Sequence, residues 1–167
     1  MVSMSRRLLS GIAAFAFITV AAHGASKPPS DISGQAQVID GDSLYVGARD
    51  LRLTGIDAPE WKQVCKRNGK DWYAGRDAKR AVASLLADRT VICEDTKARS
   101  YRRVIGRCFL DGQDLGELIV GLGWAYDYPK YSDGRYQASE AEARASGRGV
   151  WRGECQRPWD WRRENPR

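Results

Sequence analysis

Leu51-Arg52-Leu53-Thr54-Gly55-Ile56-Asp57-Ala58-Pro59-Glu60 is the stretch on which the reading of this chain turns. Alternation puts Leu51 and Leu53 on one face of a strand and Arg52 and Thr54 on the other. An arginine therefore interrupts a half-buried strand, and two acids follow where the strand ends. Upstream, Val38-Ile39-Asp40-Gly41-Asp42-Ser43-Leu44-Tyr45-Val46 repeats the theme, because the same alternation sets Asp42 on the face of Leu44 and Val46. A carboxylate facing a core is costly unless a cation or hydrogen-bond donors satisfy it. Arg49-Asp50 reads as the turn between these two strands.

Downstream, Ala78, Ala81, Val82, Leu85 and Leu86 recur at helical spacing and predict an amphipathic helix over 75–87. Thr90 to Cys93 and Val104 to Leu110 read as two more strands, joined by a polar, basic segment over 94–103 and closed by an Asp111-Gly112 turn. Leu115, Leu118, Ile119 and Leu122 form a second helical stripe, stopped by Gly123. A third, alanine-rich helix runs from about 135 to 145 and ends at Gly147. Strands first, with helices inserted and appended, predict an α+β fold: a small barrel with helices packed on it.

The N-terminal segment has a different character. Arg6-Arg7, an apolar run from Leu8 to Ala22 and the small residues Gly24, Ala25 and Ser26 have the form of a secretory signal peptide over 1–24. Ser10 and Gly11 lie in the run, which is short of the ~20 apolar residues a bilayer needs, so cleavage is expected rather than a retained anchor. Ser5-Arg6-Arg7 keeps the twin-arginine route open beside the general one. Lys27-Pro28-Pro29-Ser30 marks a polar spacer over 25–34. One folded domain is expected over 35–153, with a Trp/Arg-rich tail of no clear period over 154–167.

Export changes the chemistry on offer. The sole histidine, His23, leaves with the signal, which excludes an imidazole base, nucleophile or metal ligand. Losing Arg6 and Arg7 lowers the formal net charge from +6 to +4, a moderate excess that suits a polyanionic partner. Cys65, Cys93, Cys108 and Cys155 all lie in the exported part, and an even count in an oxidising compartment points to two disulfides with three possible pairings. Antiparallel pairing of the strands that carry Cys93 and Cys108 would bring their Cβ atoms within ~3.5–4.5 Å, leaving Cys65 to Cys155. With no C-x-x-C pair and no histidine, a zinc site is not expected.

A third charged segment, Ser100-Tyr101-Arg102-Arg103-Val104, sets paired guanidinium groups at the mouth of a strand. Taken singly, each segment has an ordinary explanation. Asp40-Gly41-Asp42 makes a turn, Asp57-Ala58-Pro59-Glu60 an acidic helix start, and Arg102-Arg103 a solvated face. Together they supply what metal-assisted phosphodiester cleavage requires: oxygen ligands for a hard cation, a carboxylate to deprotonate water and two arginines to grip a phosphate.

The segments V-I-D-G-D-S, L-R-L-T-G-I-D-A-P-E and Y-R-R-V-I-G-R, in this order, resemble the staphylococcal nuclease family. The later L-x-x-L-I-V-G-L-G-W-A and G-V-W-R also match, so the resemblance spans about Val38 to Trp151. It implies an OB-type five-stranded barrel with about three helices packed on it, and calcium as cofactor. Asp42 and Asp57 would ligate Ca²⁺ together with the backbone carbonyl of Ala58, Glu60 would be the general base, and Arg52 and Arg103 would bind and stabilise the phosphate. Tyr101 would help hold a substrate phosphate. DNA and RNA are the implied substrates and 3′-phosphates the implied products.

The chain departs from the family pattern at Ala58, where threonine is usual; a backbone ligand tolerates that change. Ser100 stands for a lysine and Arg102 for a glycine, so Arg102 is a candidate to replace the missing cation. Tyr126, Tyr128 and Tyr131 are candidates for base stacking, at a spacing that differs from the family's. Two rivals remain: a catalytically silent OB-type module that only binds nucleic acid, and an exported phosphodiesterase for another substrate. The joint presence of Glu60, Arg52 and Arg103 argues against the first. A monomer without a stable protein partner is expected.

Overall fold

Three antiparallel strands, β1 (Ile32–Val38), β2 (Ser43–Val46) and β3 (Arg49–Leu53), begin the computed structural model, which describes residues 32–166. The expected signal segment 1–24, and the spacer up to residue 31, lie outside the described residues. Val46 pairs directly with Arg49, so the turn is Gly47-Ala48 and the expected turn at Arg49-Asp50 is strand instead. The reason lies in the backbone: Gly47 takes a φ of 58°, the left-handed conformation a tight hairpin demands.

β4 (Ile56–Asp57), the small hairpin β5 (Cys65–Arg67) and β6 (Lys70–Trp72), and α1 (Ala74–Leu86) follow. β7 (Thr90–Ser100) and β8 (Arg103–Leu110) then form one long hairpin. The polar segment 94–103, expected as a loop, is strand except at its tip. Its charged residues are half-buried or exposed, and the ladder to β8 holds it across an irregularity between Asp95 and Arg99. β8 lies parallel to β3, with Leu51 opposite Val104 and Leu53 opposite Gly106, and this contact closes β1, β2, β3, β7 and β8 into a five-stranded barrel of OB type.

After β9 (Gln113–Asp114) come α2 (Leu115–Gly121), β10 (Tyr126–Asp127), α3 (Pro129–Ser132), α4 (Gln137–Ala145), a 3-10 turn (Gly149–Arg152) and α5 (Pro158–Glu164). Helices at three places were expected; the short α3 and the tail helix α5 are additions. No helix among the described residues is long and apolar enough to cross a membrane.

Leu44, Val46, Leu51, Leu53, Val91 and Leu110 fill the barrel, covered by Val82 and Leu86 of α1 and by Leu115 and Ile119 of α2. A second apolar cluster joins Cys65, Ala74, Tyr126 and Val150 to Trp72, Trp124, Trp151 and Trp159. Each cluster carries a disulfide. Cys93 and Cys108 face each other across β7 and β8 with Cα atoms 4.0 Å apart, and Cys65 joins Cys155 at 4.7 Å. Both are the pairings expected from the strand reading.

Candidate active site

Asp57 is the hub, and local backbone structure explains its position. Asp57 is fully buried, on a strand so short that it owes its place to pairing with Tyr126 of β10. The Asp40-Gly41-Asp42 turn packs against it because Gly41 has no side chain. A Cβ there would lie 2.6 Å from that of Ala58. The Ala58 N–H donates to Asp42 Oδ2 at 3.1 Å, the Ser43 hydroxyl donates to Asp42 Oδ1 at 2.8 Å, and Asp42 is 4% exposed. Gly75, at the start of α1, plays the same role beside Glu60, since a Cβ would sit 2.4 Å from the Glu60 carbonyl oxygen.

A single nitrogen of Arg52 binds both buried carboxylates. Nη2 donates to Asp42 Oδ2 at 3.1 Å and to Asp57 Oδ1 at 2.8 Å. One cationic point thus touches an oxygen of each acid and holds the two carboxylates side by side. The donors are all oxygen and their charges sum to a divalent cation's, so the pair fits a hard ion such as calcium. Among the described residues no three Asp, Glu, His or Cys side chains gather as a ligand cluster, so backbone carbonyl and water would complete the shell.

Arg103 joins from β8, its Nη1 donating to the Ser43 hydroxyl at 3.4 Å. Glu60 joins through a residue that sequence reasoning missed. Arg162 of α5 donates from Nη1 to Asp57 Oδ1 at 2.9 Å and to Glu60 Oε1 at 2.8 Å, and from Nη2 to Asp57 Oδ2 at 2.6 Å. A continuous chain therefore runs Arg103, Ser43, Asp42, Arg52, Asp57, Arg162, Glu60. Gln63, also missed, is wholly buried; its Oε1 accepts from the Glu60 N–H at 3.1 Å and its Nε2 donates to the Gln156 carbonyl at 2.7 Å.

Electrostatics follow the burial. Desolvation pushes the Asp57 carboxyl up to about 6; the hydrogen bonds from Arg162 oppose that rise, and the charge of Asp42 adds to it. Asp40 is pushed up to about 7, first by burial and then by the charge of Asp42. Arg52 is held more firmly protonated, chiefly by Asp42. Carboxylates poised this high at a site lined by guanidinium groups are the kind of perturbation that accompanies function.

The expected tyrosines divide. Tyr101, at the tip of the β7–β8 hairpin in a left-handed conformation (φ 56°), is 98% exposed, and Arg102 beside it is also exposed. Tyr126 cannot serve as a base-stacking platform in this arrangement. It is 1% exposed, with Trp151 and Trp159 edge-on to its ring and Arg157 over it at 4.5 Å. Tyr128 is half-buried and already stacked on Trp159, with ring centroids 4.7 Å apart and planes 6° from parallel. Tyr131 is exposed and edge-on to Tyr128. No signal in the sequence marked the tail as what covers these rings, because its Trp and Arg residues follow no simple period.

Fold and cluster together define a small OB-type barrel with a buried acid–arginine centre at the ends of β2, β3 and β4. Comparison with known proteins gives that class a name: the family model described as staphylococcal nuclease homologue matches residues 50–153. The succinoglycan biosynthesis protein ExoI of Rhizobium meliloti (strain 1021) is 35% identical over 153 residues, covering 90% of this chain and 78% of that protein. A protein of Escherichia coli described as an uncharacterized endonuclease is 33% identical over 141 residues, 80% of this chain and 86% of its own length. A probable staphylococcal-like nuclease of Oryza sativa subsp. japonica is 28% identical over 125 residues, 74% of this chain but 31% of its own. The chain belongs to the staphylococcal nuclease homologue family, and nuclease action on nucleic acid is the activity that membership supports.

Proposed function

We propose that this protein is a calcium-dependent endonuclease that hydrolyses phosphodiester bonds of DNA and RNA and leaves 3′-phosphates. The observation that carries the reading is the unbroken run of hydrogen bonds from Arg103 through Ser43, Asp42, Arg52, Asp57 and Arg162 to Glu60. Three separated segments of sequence meet there with the groups the reaction requires.

Asp42, Asp57 and the Ala58 carbonyl would hold the ion, which when bound supplies Lewis-acid stabilisation of charge on the phosphate. Glu60 accepts a proton from the attacking water at its carboxylate, the role left to an acid in a site without histidine. Arg52 spends Nη2 on the two aspartates, and a guanidinium fork carries five N–H donors. The same side chain can thus brace its carboxylates and meet a phosphate oxygen. Arg103 approaches from the neighbouring strand and donates to the charge that builds on the equatorial oxygens, already oriented and so at low reorganisation cost. The exposed Tyr101 and Arg102 would contact the nucleic acid backbone at the hairpin tip, and Tyr128 or Tyr131 a base.

Export belongs to the same proposal, supported by the N-terminal pattern and by two disulfides of the kind that persist in oxidising compartments. The reading is tested with Glu60→Gln. Turnover on single-stranded DNA is expected to fall by about 10²–10⁴, with melting temperature and affinity for a deoxynucleoside bisphosphate nearly unchanged. Normal turnover in the variant would remove Glu60 from the mechanism.

A further inference from the structure

The C-terminal tail is fastened at several points before it reaches the site. Cys155 is bridged to Cys65, and the Gln156 carbonyl accepts from Gln63. Arg157 forks onto Glu140 at 2.7 and 2.9 Å while lying over the Tyr126 ring. Trp159 stacks on Tyr128. These contacts fix the first turn of α5 and hence where its next turn falls. Three residues beyond Trp159, on the same side of the helix, comes Arg162. Its guanidinium meets both oxygens of Asp57 and one of Glu60.

We propose that Arg162 is a resident counter-cation of the active site. It occupies carboxylate oxygens that a divalent cation would use at Asp57, and so sets how much calcium the enzyme needs. The inference rests on the calcium reading above and names what regulates that site.

Charge and geometry both argue for exchange. Along the run Asp42, Arg52, Asp57, Arg162, Glu60, three carboxylates alternate with two guanidinium groups. A divalent ion arriving with Arg162 in place meets a positive charge bonded to its own ligand, in a partly buried setting where such repulsion is strong. Asp57 Oδ1 already accepts from two guanidinium groups, which fills both of its lone pairs. Arg52 holds Asp42 and Asp57 from within the barrel, whereas Arg162 comes from outside on a long flexible side chain. Because the disulfide and the Arg157–Glu140 fork hold the helix, the exchange is a swing of one side chain rather than detachment of the tail.

Calorimetric titration of the metal-free mature protein with calcium chloride tests this, using wild type, Arg162→Gln, Arg162→Lys and Arg163→Gln. Arg163 sits one residue on and pairs with Asp160, so its variant controls for loss of charge on the same helix. Arg162→Gln should bind calcium at least about tenfold more tightly than wild type, Arg162→Lys should gain less, and Arg163→Gln should not change. Melting in chelator checks that each variant is folded. Unchanged or weaker binding by folded Arg162→Gln, or equal tightening in Arg163→Gln, overturns the proposal. Wild type that binds calcium with an affinity Arg162→Gln merely equals removes this inference alone, whereas no calcium binding by either protein removes the calcium reading and this with it.

Discussion

Barrel and tail grip the same carboxylate by different means. From the barrel side, Asp57 is held by the β4–β10 ladder and by Arg52, a strand residue whose position follows from the alternation of Leu51 and Leu53. From the tail side it is held by Arg162, on a helix whose start is fastened to β5 by a disulfide, to α4 by an ion-pair fork and to Tyr128 by a stacked ring pair. The barrel grip is an outcome of close packing and needs the whole sheet. The tail grip is modular, a short amphiphilic segment made rigid by a few strong contacts. One buried acid is thus placed by the fold and also bonded by an appendage.

Deleting each barrel arginine should have the largest effect. Arg103→Ala should lower turnover by about 10²–10³ through lost stabilisation of the phosphate charge, with little change in stability. Arg52→Ala should lose turnover to a similar degree and also cost about 3–5 kcal/mol, because two buried carboxylates lose the guanidinium they share. If Arg52→Ala melts like wild type, then Arg162 alone neutralises the pair and the barrel is not self-sufficient. Kinetics beside urea unfolding decide it.

The two disulfides offer the next test. Replacing Cys93 and Cys108 by serine, or Cys65 and Cys155, should cost about 2–4 kcal/mol in either case. Limited proteolysis should separate them. Loss of Cys65–Cys155 should release cleavage within 155–166 while the barrel stays resistant, and loss of Cys93–Cys108 should not expose the tail selectively. Equal susceptibility of the tail in both proteins would mean that the disulfide is not what fastens it.

The smallest effect is on pH. Asp57 and Asp40 have folded pKa values of about 6 and about 7, above the usual 3.8, so folding takes up protons between pH ~4 and ~7. Their contribution to stability is therefore lost as pH rises through that window. The metal-free protein should melt at a higher temperature near pH 5 than near pH 8. Asp40→Asn should flatten the slope, and a steeper slope in that variant would contradict the assignment.

Much of the barrel side was legible in the sequence. Asp42 on a core-facing position and Arg52 between two leucines break a pattern that packing enforces, so they stand out; the two bond to each other, and Arg52 carries the link on to Asp57. The β7–β8 strands were cut short because the charged residues 94–103 show no apolar face, and a hairpin ladder at an exposed edge requires none. The β5–β6 hairpin does have a sequence signal, since Asn68-Gly69, both at positive φ, is a strong tight-turn dipeptide. The tail was opaque for a physical reason: α5 packs through stacked rings, cation–π contacts and ion pairs rather than through a periodic apolar stripe. The burial of Tyr126 was opaque for the same reason, since what covers that ring is the tail and the 3-10 turn before it.

Calcium dependence, proposed from the two buried aspartates, is open to a simple assay. Hydrolysis of end-labelled DNA and RNA by the purified mature protein, in calcium and then in a calcium chelator, tests it most directly. Expected are cleavage of both polymers in calcium, loss of activity in chelator, its return when calcium is restored, and 3′-phosphate ends. Full activity in the chelator, or no cleavage of either polymer at any calcium concentration, would contradict it.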